Sequence, residues 1–138
     1  MPIAAEDGRR ARDALRAGWR AAGWYPPVTV GEALRLGAEG HPDAALIFAA
    51  ADGSSVEMTL RELQRDATHL AEGLRAAGVR PGDAVVVQAP ADLSGTTAMV
   101  GLWTLGAVVV PLVATATPAE RSHVIQEVEG GRLVVAPE

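Results

Sequence analysis

The stretch Asp92-Leu93-Ser94-Gly95-Thr96-Thr97 carries the residue types of a phosphate-holding loop. Small residues let backbone N–H groups close on an anion where a strand meets a helix N-terminus. The P-loop form also needs a Gly-Lys-Ser/Thr ending. No Lys follows here, and none occurs in the chain, because all 12 basic residues are Arg. Neither a Schiff-base lysine nor a phosphate-holding lysine can come from this polypeptide. Asp92 is a good N-cap, and its charge would repel a phosphate from the N–H groups that the phosphate needs. Ser94, Gly95, Thr96 and Thr97 then fall in the first turns of a helix, where small size allows close packing. No GxGxxG fingerprint for a dinucleotide occurs.

The other reactive residue types are scattered. His41 precedes Pro42 in a helix-to-strand turn, His69 lies beside an apolar stripe, and His123 falls on another helix. No pair has metal-site spacing, so surface histidines are expected. Ser94 and Ser122 lack the GxSxG elbow or a poised base that a nucleophile requires. Trp19, Trp24 and Tyr25 cluster near Pro26-Pro27, which reads as an aromatic anchor for the N-terminal segment. No catalytic, cofactor-binding or metal-binding residue is therefore expected in the chain.

The bulk numbers narrow the class. A chain of 138 residues is long enough to build one proper core. Hydrophobic residues make up 49% and aromatics only 4%, so that core must be aliphatic. A net charge of −5 argues against nucleic acid as a partner, since a phosphate-binding surface needs a basic excess. The absence of Cys excludes disulfides and thiolate metal sites. No apolar run approaches the roughly 18 residues of a membrane span. The N-terminus has no signal-peptide core, so a cytoplasmic location is expected. Its five Arg, from Arg9 to Arg20, are diluted by Glu6, Asp7 and Asp13, which suggests a solvated or loosely docked helix.

The elements that must position these residues are strongly punctuated. Thr29, Thr59 and Thr117 are each followed three residues later by Glu, the capping-box spacing. Pro118 adds a first-position proline. Gly40, Gly78 and Gly130-Gly131 mark helix ends. After Thr59, the residues Leu60, Leu63, Ala67, Leu70, Ala71, Leu74 and Ala77 form one apolar stripe, predicting a helix lying on a sheet. The runs 84–87, 107–110 and 133–135 do not alternate apolar with polar, which predicts parallel strands buried on both faces. They start about 24 residues apart, as short right-handed βαβ crossovers would. Residues 45–48 and 56–58 flank Asp52-Gly53-Ser54-Ser55 and predict a hairpin. The fold class is α/β: three layers around a mainly parallel sheet with βαβαβ crossovers, plus an N-terminal helix and a β-hairpin.

Two blocks carry a family likeness. Met58-Thr59-Leu60-Arg61-Glu62-Leu63, then Leu74 to Gly78-Val79, Gly82-Asp83 and Val85, resemble the opening of the AMP-forming acyl-CoA synthetases. These belong to the adenylate-forming superfamily, which also holds luciferases and nonribosomal peptide adenylation domains. Leu102, Gly106, Pro111 and Leu112 resemble the family's next block. The lead-in from Gly23 to Phe48 is similar to that of acyl-CoA ligases, so the likeness runs over positions 23 to 136. Leu60, Thr104 and Val113 depart from the residues usual in the family, which bears on the subfamily.

The resemblance implies a parent ligase that joins a carboxylate to coenzyme A through an acyl-adenylate, using ATP and Mg. The family's phosphate loop lies beyond Pro111, and its catalytic Lys lies near the far C-terminus. Residues 28–138 are thus expected to be part of the N-terminal subdomain of a larger ligase core, with 1–27 as an extension. The chain stops at Ala136-Pro137-Glu138, where a core strand ends, which suggests the front portion of a longer ligase. Such a piece is expected to be inactive alone and to need no cofactor. Its expected partners are the rest of the ligase chain and other copies of itself, through exposed apolar surface. Two alternatives remain. One is a free-standing binding module with a small ligand near the loops after Val87 and Val110. The other is a natural truncated paralogue with a structural or regulatory role.

Overall fold

The computed structural model describes residues 3–24, 27–50, 52–128 and 132–135. The elements run α1 (Ile3–Ala21), α2 (Val30–Gly40), β1 (Ala45–Ala49), β2 (Ser55–Thr59), α3 (Leu60–Ala76), β3 (Ala84–Gln88), α4 (Leu93–Leu105), β4 (Val108–Leu112), α5 (Pro118–Glu127) and β5 (Arg132–Val135).

The helix starts follow from local chemistry. At α3 the Thr59 hydroxyl accepts the Glu62 N–H at 3.2 Å, and the Glu62 carboxylate accepts the Thr59 N–H at 2.8 Å. Thr117 and Glu120 repeat this reciprocal pair at α5. At α2 only half of the expected box forms. Thr29 accepts the Glu32 N–H, but the Glu32 carboxylate turns to the guanidinium of Arg35, one turn on. A charged fork with two N–H groups outcompetes one backbone donor. Gly78, at φ 91°, ends α3 in a Schellman turn: its N–H reaches the Arg75 carbonyl, and the Val79 N–H reaches that of Leu74. The expected stop at Gly130-Gly131 lies outside the described residues.

Strands β3, β4 and β5 form a parallel sheet in the order β4-β3-β5. The hairpin β1-β2 is a separate antiparallel pair. From β3 the chain steps through α4 to β4 on one side, then returns through α5 past β3 to β5. Right-handed crossovers in opposite directions put α4 and α5 on opposite faces. The side chains agree with this placement. Val85 and Val87 join a cluster with Ala98, Leu102 and Leu105 of α4. Gln88, one step along the alternation, meets Arg121 of α5. Three layers result.

Two expectations need correcting. β3 is buried on both faces, but β4 is an edge strand, and Val108 is 55% exposed. The apolar stripe of α3 packs along α4 first and reaches the sheet only through its C-terminal half. Leu63 and Ala67 meet Val100 of α4, while Ala71, with Leu70 and Leu74 packed beside it, joins the cluster that reaches the strands. Gly101 makes this approach possible, since a β-carbon there would lie 3.1 Å from the Ala67 carbonyl oxygen. α1 is helical as expected, and residues 10–18 along it are exposed.

Candidate functional site at the start of α4

The loop after β3 turns into α4 at Asp92, which is its N-cap. One carboxylate oxygen, Oδ1, accepts the Gly95 N–H at 3.0 Å and the Ser94 hydroxyl at 2.8 Å. These bonds, that from Gly95 first, hold the Asp92 carboxyl below its ordinary pKa. The helix start therefore carries its own anion. Thr97 donates its hydroxyl to the Leu93 carbonyl, one turn back, at 2.8 Å. Gly95 is buried against the Pro90 carbonyl, where a β-carbon would collide. Its small size thus serves close approach, as the sequence suggested, although the neighbour is the helix's own incoming loop.

Beside this turn lies a cleft of about 350 Å³, lined by Phe48, Ala49, Ala50 and Val56 of the hairpin region and by Asp92, Leu93 and Ser94. Its wall is mainly apolar, with one carboxylate and one hydroxyl at the helix end. That composition and volume are those of a small-molecule cleft. The loop after Val87 contributes to it, whereas the turn after β4 does not. Phe48 and Val56 were not singled out in the sequence. Their only local signal is a hairpin whose residues face both ways, and nothing local pairs that hairpin with α4.

The remaining candidates stay apart. His41 caps the end of α2, His69 is exposed on α3, and His123 and Ser122 are exposed on α5. Among the described residues, no three His, Cys, Asp or Glu side chains gather as metal ligands would. Trp19 is half-buried, but Trp24 is 74% exposed, so Trp24 does not anchor the segment by burial. Tyr25 and Pro26 lie outside the described residues. No described helix is long and apolar enough to cross a membrane.

A second polar feature was missed in the sequence. Gln88 ends β3 and is 7% exposed. Its amide donates to the carbonyls of Ala114 and Ala116, at 3.0 and 2.9 Å, and its oxygen accepts from Arg121 at 2.9 Å. The turn between β4 and α5 is thereby tied to the carboxyl end of the central strand. A polar residue closing an apolar run was the only hint.

Known proteins match the chain as follows. Acetyl-coenzyme A synthetase from Cupriavidus necator is 43% identical over 63 residues, 46% of this chain and 10% of that protein. Phenyloxazoline synthase MbtB from a Mycobacterium species is 34% identical over 95 residues, 69% of this chain and 8% of that protein. The N-terminal domain of FACL13 from Mycobacterium tuberculosis superposes with a TM-score of 0.68 at 24% identity, over 78% of this chain and 26% of that one. The chain thus spans a tenth or less of the curated relatives it matches and about a quarter of that solved domain. The model for AMP-binding enzymes matches residues 34–137, which covers all three parallel strands and both crossover helices. That match covers more than half of the chain and takes in both sequence blocks, and the chain belongs to the AMP-binding enzyme family of the adenylate-forming superfamily.

Proposed function

We propose that the chain supplies scaffold to an ATP-dependent ligase that activates a carboxylic acid as its adenylate and then passes it to a thiol, coenzyme A for the acyl-CoA branch. The observation that carries this reading is the family match over residues 34–137. In this reading ATP, Mg and coenzyme A belong to the whole ligase, and the rest of its chain is the main partner. Residues 28–138 are the subdomain portion and 1–27 an extension. The chain supplies no lysine. Where the loop resembles a phosphate cradle, Asp92 takes the Gly95 N–H. Both features favour support over catalysis in this reading.

The test is pyrophosphate release from Mg-ATP by the 138-residue protein with a panel of fatty and aromatic acids. Background rates are expected with every acid. Release stimulated by a carboxylate to the level of a complete ligase would overturn the scaffold assignment. In the same reading, exposed apolar side chains such as Ile47 and Val113, each 68% exposed, are covered in the larger protein. The isolated chain then self-associates, and light scattering that shows only monomer at high concentration counts against this.

The cleft beside Asp92 favours a second reading, a small-ligand binding module. Thermal-shift measurements against nucleotides and acyl-CoA separate the two. A saturable rise in melting temperature supports the module, and its absence supports scaffold.

A further inference from the structure

We propose that Arg121, fixed in place by Gln88, is a receiving site for a two-oxygen anion face, a carboxylate or a phosphate. The inference rests on geometry and stands whether or not the ligase reading holds. Arg121 lies in the first turn of α5 and is half-buried. Its Nη1 donates to the Gln88 amide oxygen at 2.9 Å. Its Nε and Nη2, the edge that grips carboxylates and phosphates side-on, make no hydrogen bond among the described residues.

The pairing differs from that of the other arginines. Arg16, Arg35, Arg61 and Arg65 each have a carboxylate partner. Arg12, Arg20, Arg75 and Arg80 are exposed, so water solvates them. Among the arginines whose burial is described, Arg121 alone is half-buried with a neutral amide as its partner. A partly desolvated cation with one neutral acceptor is undercompensated, and an arriving anion supplies the missing charge.

The cation is also held still. Gln88 cannot swing away, because its amide N–H groups are committed to the carbonyls of Ala114 and Ala116. The guanidinium therefore loses little rotamer freedom on binding. The neighbouring carboxylate does not fill the position. Glu120 Oε2 accepts both the backbone N–H and the hydroxyl of Thr117, which turns it toward the helix cap. The site lies at the carboxyl end of the parallel strands, the end at which open α/β sheets bind their ligands.

The experiment follows the Arg side-chain Nε–Hε signals of the labelled 138-residue protein by NMR. Sodium acetate and inorganic phosphate are titrated separately, with ionic strength held constant by chloride. The expected result is a saturable shift at Arg121 with an apparent affinity at least threefold above that at exposed Arg75. Saturation by acetate assigns a carboxylate ligand, and saturation by phosphate assigns a phosphate. R121Q, a change at a helix surface, abolishes the response seen in neighbouring amides. Q88L frees the guanidinium and weakens binding at least threefold. If neither anion distinguishes Arg121 from Arg75, or if R121Q leaves the neighbouring amide shifts in place, there is no such site. That comparison within the unmodified protein decides the matter even if Q88L does not fold.

Discussion

Gly95 sits against the carbonyl oxygen of Pro90 with no room between them for a β-carbon. A helix interior ordinarily gains from Ala in place of Gly, by about 1 kcal/mol. Here the added methyl meets backbone, which cannot rotate aside. Gly95→Ala is expected to lose stability by about 1–3 kcal/mol, the usual cost of overpacking. Ser94→Ala, at an exposed neighbouring position, is expected to change stability far less. Urea denaturation of the two variants checks the contrast. Equal stability for Gly95→Ala and the parent protein would show that the loop yields.

The three Thr caps predict a graded series. Thr59 and Thr117 each close a reciprocal pair with Glu, so replacing either by Ala removes an acceptor and strands its partner. A loss of about 1 kcal/mol is expected for Thr59→Ala, typical of a lost N-cap. Thr29→Ala is expected to cost less, because Glu32 is already engaged by Arg35. The order of the Thr59 and Thr29 midpoints in urea is the readout, and a larger loss at Thr29 would contradict the half-formed box.

Acid is expected to destabilise the fold through these same caps. Glu62 and Glu120 are held below the ordinary carboxyl range chiefly by the backbone N–H groups of Thr59 and Thr117, and Asp92 by that of Gly95. A carboxyl with a depressed folded-state pKa contributes stability that is present above its unfolded pKa, about 4. That contribution is lost as pH falls through the lower folded value. The denaturation midpoint should therefore hold from pH 7 to about 5 and drop below about 4. Asp92→Asn keeps a capping oxygen but cannot titrate, so its pH profile should be flatter than the parent's. An unchanged profile would remove Asp92 from the account.

The sequence disclosed what is decided within a turn or two of the chain. Thr59 and Glu62 identify each other at a spacing of three, and Gly78 marks its own turn. The runs at Val85, Val109 and Leu133 set the strand rhythm because each is bounded by helix signals. What stayed hidden depends on partners distant in the chain. The stripe from Leu63 to Leu74 shows that α3 buries one face, but not that α4 receives it. Gly101 contributes to that pairing, since its missing side chain lets α3 come close. β4 is as apolar as β3, and only the strand order makes it an edge. The bond from Arg121 to Gln88 spans 33 residues, beyond any local pattern. Asp92 was legible as a cap, whereas the cleft it borders needs Phe48 and Val56 from a separate hairpin.

Thr104 offers a test of the packing between α2 and α4. Its hydroxyl oxygen is buried with no hydrogen-bond partner among the described residues. It lies where α2 presses closest: a β-carbon on Gly31 would collide with the Trp103 carbonyl and come 3.1 Å from the Thr104 N. Leaving a buried hydroxyl unpaired costs about 1–3 kcal/mol, and Val has the same shape without the polar atom. Thr and Val have similar helix propensities, so the backbone gains nothing from the exchange. Thr104→Val is expected to stabilise the protein by about 1 kcal/mol, a rise of roughly 3–5 °C in melting temperature for a domain of this size. Thr97→Val is the control, since its hydroxyl does have an acceptor in the Leu93 carbonyl. That variant should melt at or below the parent temperature. A fall in melting temperature for Thr104→Val would mean that its hydroxyl is satisfied in solution.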